Sequence, residues 1–162
     1  MTPLRQQGLS LIEVMIALAV FSFGLLALAA LMTSGLKYNT SALHRSYATS
    51  QAYDMADRMR ANRQGLVDGV YNSLSDSSTV PDCGVFGSDS VIKCDPGEMA
   101  QYDVSDWNNA NARLLPEGEG NVSLKSDDPE SADFGIYTIT ISWNDDRDPD
   151  TEPDSFIVEF QP

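Results

Sequence analysis

An unbroken apolar run near the amino terminus constrains this chain more than any other feature. Between residues 9 and 32 only Ser10, Glu13 and Ser22 are polar, and the run contains no proline. Leu, Ala and Met, which favour helices, dominate it. At about 1.5 Å per residue, such a helix spans a hydrocarbon core of about 30 Å. The run therefore predicts a membrane-spanning helix.

The rest of the chain is polar and strongly acidic. The formal net charge is −14, and residues 64–162 contain 21 acidic side chains against 4 basic ones. This balance argues against a nucleic-acid partner, because phosphate recognition needs a basic surface. One histidine and two cysteines leave little for a zinc cluster. A Ser-His-Asp triad would depend on His44 alone, which we expect to be an exposed helix residue. We therefore expect no catalytic residue, no cofactor and no enzymatic activity.

The length of 162 residues allows one domain with an appended segment. The apolar run itself has three interpretations. The first is a cleaved secretory signal, with a small-x-small site at residues 27–29, although the run is longer than a usual signal core. The second is an uncleaved signal anchor. The third depends on the junction at residues 6–14.

That junction carries a family resemblance. Gly8 followed by Leu9-Ser10-Leu11-Ile12-Glu13 resembles the class III signal of type IV pilins and pseudopilins. The resemblance implies that prepilin peptidase cuts after Gly8, on the cytoplasmic side, and methylates the new amino terminus at Leu9. Members of this family usually begin with Phe after cleavage, so Leu9 is a departure. A glycine at the cleavage site suits a peptidase that must approach the backbone closely.

A narrower resemblance involves two further segments. Together with residues 8–31 and their step Gly24-Leu25-Leu26, residues 52–62 and, more loosely, the stretch from Tyr102 through Pro116 are similar to the PilV family of minor pilins, which are type IV pilus modification proteins. The I-type pseudopilins of type II secretion share much of this pattern and remain an alternative. A signal-anchored periplasmic binding module, calcium-dependent in one version, is a second alternative.

The resemblance implies a structural role. A minor pilin of this kind would help to prime pilus assembly at or near the fibre tip, and it would support twitching motility. Its partners would be prepilin peptidase, other minor pilins and the major pilin. The chain would cross the inner membrane once, with its amino terminus cytoplasmic and its body periplasmic, before joining the pilus fibre at the cell surface.

Glu13 is the one charged side chain of the apolar run. A carboxylate in a membrane helix costs about 2.5–3.5 kcal/mol at the centre of the span and less near its end. The resemblance implies an assembly contact, in which Glu13 pairs with the Leu9 amine of a neighbouring subunit. The alternative is local, since Ser10-x-x-Glu13 is also a capping box at a helix start.

Helical periodicity continues beyond the apolar run. Residues 33–63 contain no proline, and we expect the helix to run from residue 9 to residue 63 and to end at Gln64-Gly65, before a turn at Asp68-Gly69. One apolar stripe at helical spacing consists of Ala48, Ala52, Met55, Ala56 and Met59. A second, at another angle, consists of Leu36, Leu43 and Tyr47. We expect half of this helix to pack on a globular body.

In the globular body, apolar and polar residues alternate in several segments, as they do in β-strands. Asp95-Pro96-Gly97-Glu98 is typical of a helix start, and we expect a helix from about residue 104 to residue 115, with Trp107, Ala110 and Leu114 on one face. Strands are predicted at 121–126, where Val122 and Leu124 alternate with polar residues, at 137–143 and at 156–160. The predicted fold is α+β, a type IV pilin fold with a long amino-terminal helix packed on a small antiparallel sheet.

The globular body contains two further candidate sites. Cys83 and Cys94 are predicted to form a disulfide if the body lies outside the cytoplasm. The acidic turn of Asp146, Asp148, Asp150 and Glu152 is a weak calcium candidate, and a solvated turn is favoured because Pro149 interrupts it and the EF-hand glycine is missing. No other metal site is expected. The predicted division is a leader at 1–8, an assembly helix at 9–32, its amphipathic continuation at 33–63 and a globular domain at 64–162.

Overall fold

The computed structural model describes residues 10–72, 74, 81, 83, 94–145 and 152–162. Its elements, in chain order, are α1 (Leu11–Ala61), α2 (Arg63–Val67), α3 (Pro96–Leu114), β1 (Glu119–Leu124), β2 (Tyr137–Trp143) and β3 (Asp154–Phe160). The long amino-terminal helix and the small antiparallel sheet confirm the predicted α+β pilin fold. The chain divides into two compact units, Met1–Ser41 and Ala42–Pro162, which are described separately.

The first unit is helical from Leu11 onward. Its side chains are exposed almost throughout, and it contributes nothing to the hydrophobic core, whose first member is Ala48. Hydroxyls within this helix are bonded to its own backbone: Ser22 Oγ donates to the Leu18 carbonyl at 2.7 Å, and Thr33 Oγ1 to the Ala29 carbonyl at 3.0 Å. Because the backbone accepts these hydrogen bonds, the hydroxyls of Ser22 and Thr33 destabilise the apolar helix little.

The second unit is built on the predicted stripe of α1. The buried residues of this helix are Ala48, Ala52, Met55, Ala56 and Met59, as the periodicity predicted. Small alanines let neighbouring elements approach, while each fully buried methionine contributes about 1.5–3 kcal/mol. In the second predicted stripe only Tyr47 packs against the core, since Leu36 and Leu43 are exposed. The fully buried Trp107, Trp143, Tyr71, Ile139 and Ile141 complete the centre.

The predicted end of the long helix was wrong by two residues. α1 stops at Ala61, and Asn62 caps the short helix α2 by accepting a hydrogen bond from the Gly65 amide at 3.2 Å. The Asn62 amide also donates to the Pro96 carbonyl at 2.8 Å. Gly65, predicted as a terminator, therefore lies inside α2, and the chain turns where Gly69 adopts a φ of +70°.

The second major helix is longer than predicted. α3 begins at Pro96, because Asp95 and Glu98 form a capping box: the Glu98 amide donates to the Asp95 carboxylate at 2.8 Å, and the Asp95 amide to the Glu98 carboxylate at 3.0 Å. The predicted face was also only partly right. Trp107 is fully buried, but Leu114 is 37% exposed, and the buried face continues through Asn111 instead.

The sheet has the order β1-β2-β3 with both pairs antiparallel. In β2 the side chains of Tyr137, Ile139, Ile141 and Trp143 are buried and alternate with half-buried ones, as predicted. β1 begins at Glu119 and ends at Leu124, two residues earlier than predicted at each end. The strand starts earlier because Glu119 and Gly120 pair with Ser142 and Ile141 of β2. A Cβ built at Gly120 would lie 2.2 Å from the Trp107 ring. β1 can thus lie against α3 only with glycine at this position.

Candidate functional site

The first unit exposes a continuous apolar surface. Large apolar side chains from Leu11 to Met32 are between 44% and 79% exposed. Such a surface exceeds the apolar patches that monomeric soluble proteins tolerate and marks contact with lipid or protein. The helix Leu11–Ala61 is long and apolar enough to cross a membrane. This surface, together with its one charged residue, is the strongest candidate site of the molecule.

Glu13 lies in the first turn of α1 and is exposed. Its amide donates to the Ser10 carbonyl at 3.0 Å, which anchors the first turn through the backbone. Within the part of the chain that the structure describes, its carboxylate has neither an ion-pair nor a hydrogen-bond partner. A carboxylate among apolar side chains needs such a partner when the surface is covered. Gly8 and Leu9, the predicted cleavage and methylation residues, lie outside the described residues.

Arg58 joins α1 to α3 in the second unit. Its guanidinium contacts Asp54 Oδ2 and Asp106 Oδ2, each at 2.9 Å, and Asp103 Oδ1 at 3.6 Å. Partial burial acts to lower the pKa of Arg58, but the carboxylates of Asp106 and Asp54 outweigh it and raise that pKa, so the guanidinium stays charged. Arg58 thus joins α1 to the carboxylates of Asp103 and Asp106 on α3.

Tyr71 extends this network into the core. Its side chain is fully buried, and its hydroxyl donates to Asp103 Oδ2 at 3.2 Å and accepts from Asn62 Nδ2 at 3.0 Å. Burial raises the pKa of Tyr71 well above its ordinary value of 10. Burial also raises the pKa of Asp103, although hydrogen bonds from Tyr71 and the charge of Arg58 oppose that rise. The network connects α1, α3 and the turn after α2.

Adjacent residues of α1 hold both ends of the connection between β2 and β3. The His44 ring contacts the Asp145 carboxylate just after β2, and Arg45 Nη2 lies 3.2 Å from Asp154 Oδ1 at the start of β3. The His44 side chain is only 14% exposed, so the prediction of an exposed residue was wrong. Sequence spacing gave no signal for this pair, because the two residues are 101 positions apart.

The remaining predicted sites are simpler. Cys83 and Cys94 form a disulfide with their Cα atoms 5.8 Å apart. Of the acidic turn, Asp146, Asp148 and Asp150 lie outside the described residues, and Glu152 is exposed. Within the described ranges, no group of three or more His, Cys, Asp or Glu side chains is arranged to hold a metal ion. The solvated turn therefore stays the favoured prediction, and calcium binding stays the weaker alternative.

Comparison with known families gives two matches that adjoin each other. The prokaryotic N-terminal methylation motif matches residues 3–29. A family described as type IV pilin Tt1218 matches residues 30–105. These ranges cover the exposed apolar surface, the buried stripe of α1 and the first part of α3. No curated protein and no solved structure matches the chain significantly.

Proposed function

Because this chain belongs to the type IV pilin-like family, whose members are structural proteins, we propose that it is a minor pilin of the type IV pilus. In this proposal prepilin peptidase removes residues 1–8 and methylates Leu9. The mature chain then packs into the fibre through α1. With other minor pilins and the major pilin, it helps to prime assembly and lies at or near the tip.

One observation supports the proposal above the others: α1 exposes an apolar surface whose only carboxylate, Glu13, has no partner in the described part of the chain. A lipid environment offers such a carboxylate no counter-charge, and a cationic amino terminus on a neighbouring helix does. Release of Glu13 from an unfavourable environment would then contribute to assembly. The same pairing would fix the register between neighbouring helices.

The proposed division of the chain follows from this role. Residues 1–8 form the leader, 9–32 the membrane and assembly segment, 33–63 its amphipathic continuation and 64–162 the globular domain. Before assembly the chain crosses the inner membrane once, with the leader in the cytoplasm and the body in the periplasm. The disulfide between Cys83 and Cys94 suits that compartment.

The intact mass of the protein from native membranes tests processing. We expect a chain that lacks residues 1–8 and carries one additional methyl group. Gly8→Arg should leave the full-length precursor, because a large side chain blocks the approach of the peptidase to the backbone. Gln6→Arg adds the same charge upstream and should be processed normally. A wild-type chain that still begins at Met1, or that is cut near Ala29, contradicts the proposal.

The role of Glu13 is tested separately from cleavage. Glu13→Val should be processed but should reduce incorporation into sheared surface fibres, since the charge pair is lost. Ile12→Val, a neutral change at the neighbouring position, should leave incorporation unchanged. Unchanged incorporation of Glu13→Val would remove the assigned contact.

A deletion strain distinguishes a minor pilin from the alternative, an I-type pseudopilin. Loss of twitching in that strain indicates the pilus, and loss of protein export indicates type II secretion.

A further inference from the structure

A groove with a volume of about 750 Å³ lies in the second unit, between α2 with its following turn and the connection from β1 to β2. The residues that line it include Arg63, Leu66, Val67, Leu124, Phe134 and Tyr137. Leu66 and Leu124 also pack against the hydrophobic core, so this part of the lining is a fixed part of the body.

The groove exposes apolar side chains that do not belong to the hydrophobic core. Beyond α1, the described residues include four exposed large apolar side chains, at positions 67, 114, 134 and 157. Two of them, Val67 at 74% exposure and Phe134 at 45%, lie on the two sides of this groove. Their concentration in one concave surface is typical of an anchor pocket for a partner side chain.

Several polar groups of the groove are already satisfied within the chain. The Tyr137 hydroxyl donates to Asn72 Oδ1 at 2.8 Å. Arg60 contacts Asp57 Oδ1 at 2.9 Å and lies over the Phe160 ring at 5.0 Å from its centroid. Because these groups already have partners, they provide few hydrogen bonds for a small polar ligand. The groove therefore suits a largely apolar occupant.

Arg63 is different, because it is exposed and forms no ion pair within the described part of the chain. An uncompensated arginine stands out in a protein of net charge −14. Asp127 also lines the groove, on the strand side, so the positive charge is confined to the helix side. An occupant complementary to this surface carries a carboxylate next to an apolar side chain.

We propose that this groove binds a segment of another pilin-like subunit, one that carries an aspartate or glutamate within about one helical turn of a large apolar side chain. The apolar side chain would lie between Val67 and Phe134, and the carboxylate would pair with Arg63. A second copy of this chain is disfavoured, because residues 64–162 contain 21 acidic side chains against 4 basic ones and two such bodies repel. This inference rests on the proposed function, which supplies the neighbouring subunits.

Site-specific photo-crosslinking in cells that assemble pili tests the groove on the full-length chain. Benzoylphenylalanine replaces Val67 in the groove or, as a control, Ile157, which is 56% exposed on β3. We expect the probe at Val67 to give an adduct with a different pilin-like subunit, mapped by mass spectrometry to an acidic and apolar segment. The probe at Ile157 should give about tenfold less of this adduct. These substitutions fall on exposed side chains and leave the core intact.

A charge reversal makes the test specific. Arg63→Glu should lower the yield of the adduct about tenfold, since it sets two carboxylates against each other. Arg113→Glu makes the same change at an exposed arginine on α3 outside the groove and should change the yield less than about twofold. Equal yields at Val67 and Ile157, an adduct insensitive to Arg63→Glu, or an adduct with a second copy would each overturn the proposal.

The processed mass and the presence of the chain in sheared fibres are measured in the same cells. Normal processing and incorporation without the Val67 adduct refute the groove alone. Failure of processing or of incorporation refutes the proposed function, whatever the adduct shows. An adduct that behaves as predicted in cells where processing fails would still support the groove.

Discussion

Tyr71→Phe removes a single buried hydroxyl, and the structure fixes what that hydroxyl does. Asp103 Oδ2 loses the donor 3.2 Å away, while the Asn62 amide keeps its second acceptor, the Pro96 carbonyl at 2.8 Å. A hydrogen bond to a charged group contributes about 1.5–3 kcal/mol, so we expect a free energy of unfolding lower by about 2 kcal/mol at pH 7. For the second unit, Ala42–Pro162, that corresponds to a Tm lower by about 8 °C.

The pH dependence separates this mechanism from a loss of packing. Burial raises the pKa of Tyr71 in the folded state, so its contribution to stability is complete below its ordinary value of 10 and is lost as pH rises through the folded value. At pH 11 ionisation of the unfolded tyrosine destabilises the wild type by about 1 kcal/mol, and Tyr71→Phe has no such group to ionise. The difference in stability between the two proteins should therefore shrink to about half of its value at pH 7.

Tryptophan fluorescence of the full-length protein in detergent measures this unfolding, because both tryptophans, Trp107 and Trp143, are buried in the second unit. Denaturant titrations at pH 7, 9 and 11 give the free energies. Tyr53→Phe is the matched control, since Tyr53 is 57% exposed and its loss should change stability by less than about 0.5 kcal/mol. A wild-type stability in Tyr71→Phe at pH 7, or a gap that stays constant to pH 11, would refute the reasoning.

Two further substitutions test the packing and the covalent closure of the body by the same fluorescence assay. Gly120→Ala should destabilise it by about 3 kcal/mol, because the new Cβ meets the Trp107 ring at 2.2 Å. Gly35→Ala, where nothing lies within 4 Å, should have no such effect, and equal stabilities would show that β1 can move away. Replacing Cys83 and Cys94 by serine opens a loop with a sequence separation of 11 and should cost about 2.8 kcal/mol. Reduction of the wild type should match this loss, and an unchanged midpoint would contradict the loop-closure estimate.

Sequence periodicity predicted the elements whose burial is regular. The stripe on α1 from Ala48 to Met59 and the alternation of β2 from Tyr137 to Trp143 repeat over several turns or residues, and the structure buries these positions. Both patterns report which side of an element faces the core. That information is local, so a single sequence contains it.

The predictions failed where distant residues decide the local structure. The break after Ala61 depends on the bond from Asn62 to the Pro96 carbonyl, which is 34 positions away. The partner of His44 is 101 positions away. Gly120 looked like a residue outside a strand, and its role appears only when the Trp107 ring lies against it. The assembly segment was predicted from a motif, while the groove beside Arg63 gave no signal in the sequence.

The two contacts at the ends of the connection between β2 and β3 have a consequence for how far the length of this connection can change. His44 contacts Asp145 at one end, and Arg45 contacts Asp154 at the other. Because the ladder pairs Trp143 with Asp154 and neighbouring residues of α1 contact both ends, changes in the length of the intervening segment add only a slowly growing loop entropy, about 0.6 kcal/mol per doubling. Insertions between Asp145 and Asp154 should therefore leave β2 and β3 paired, which makes this connection a suitable place for a tag.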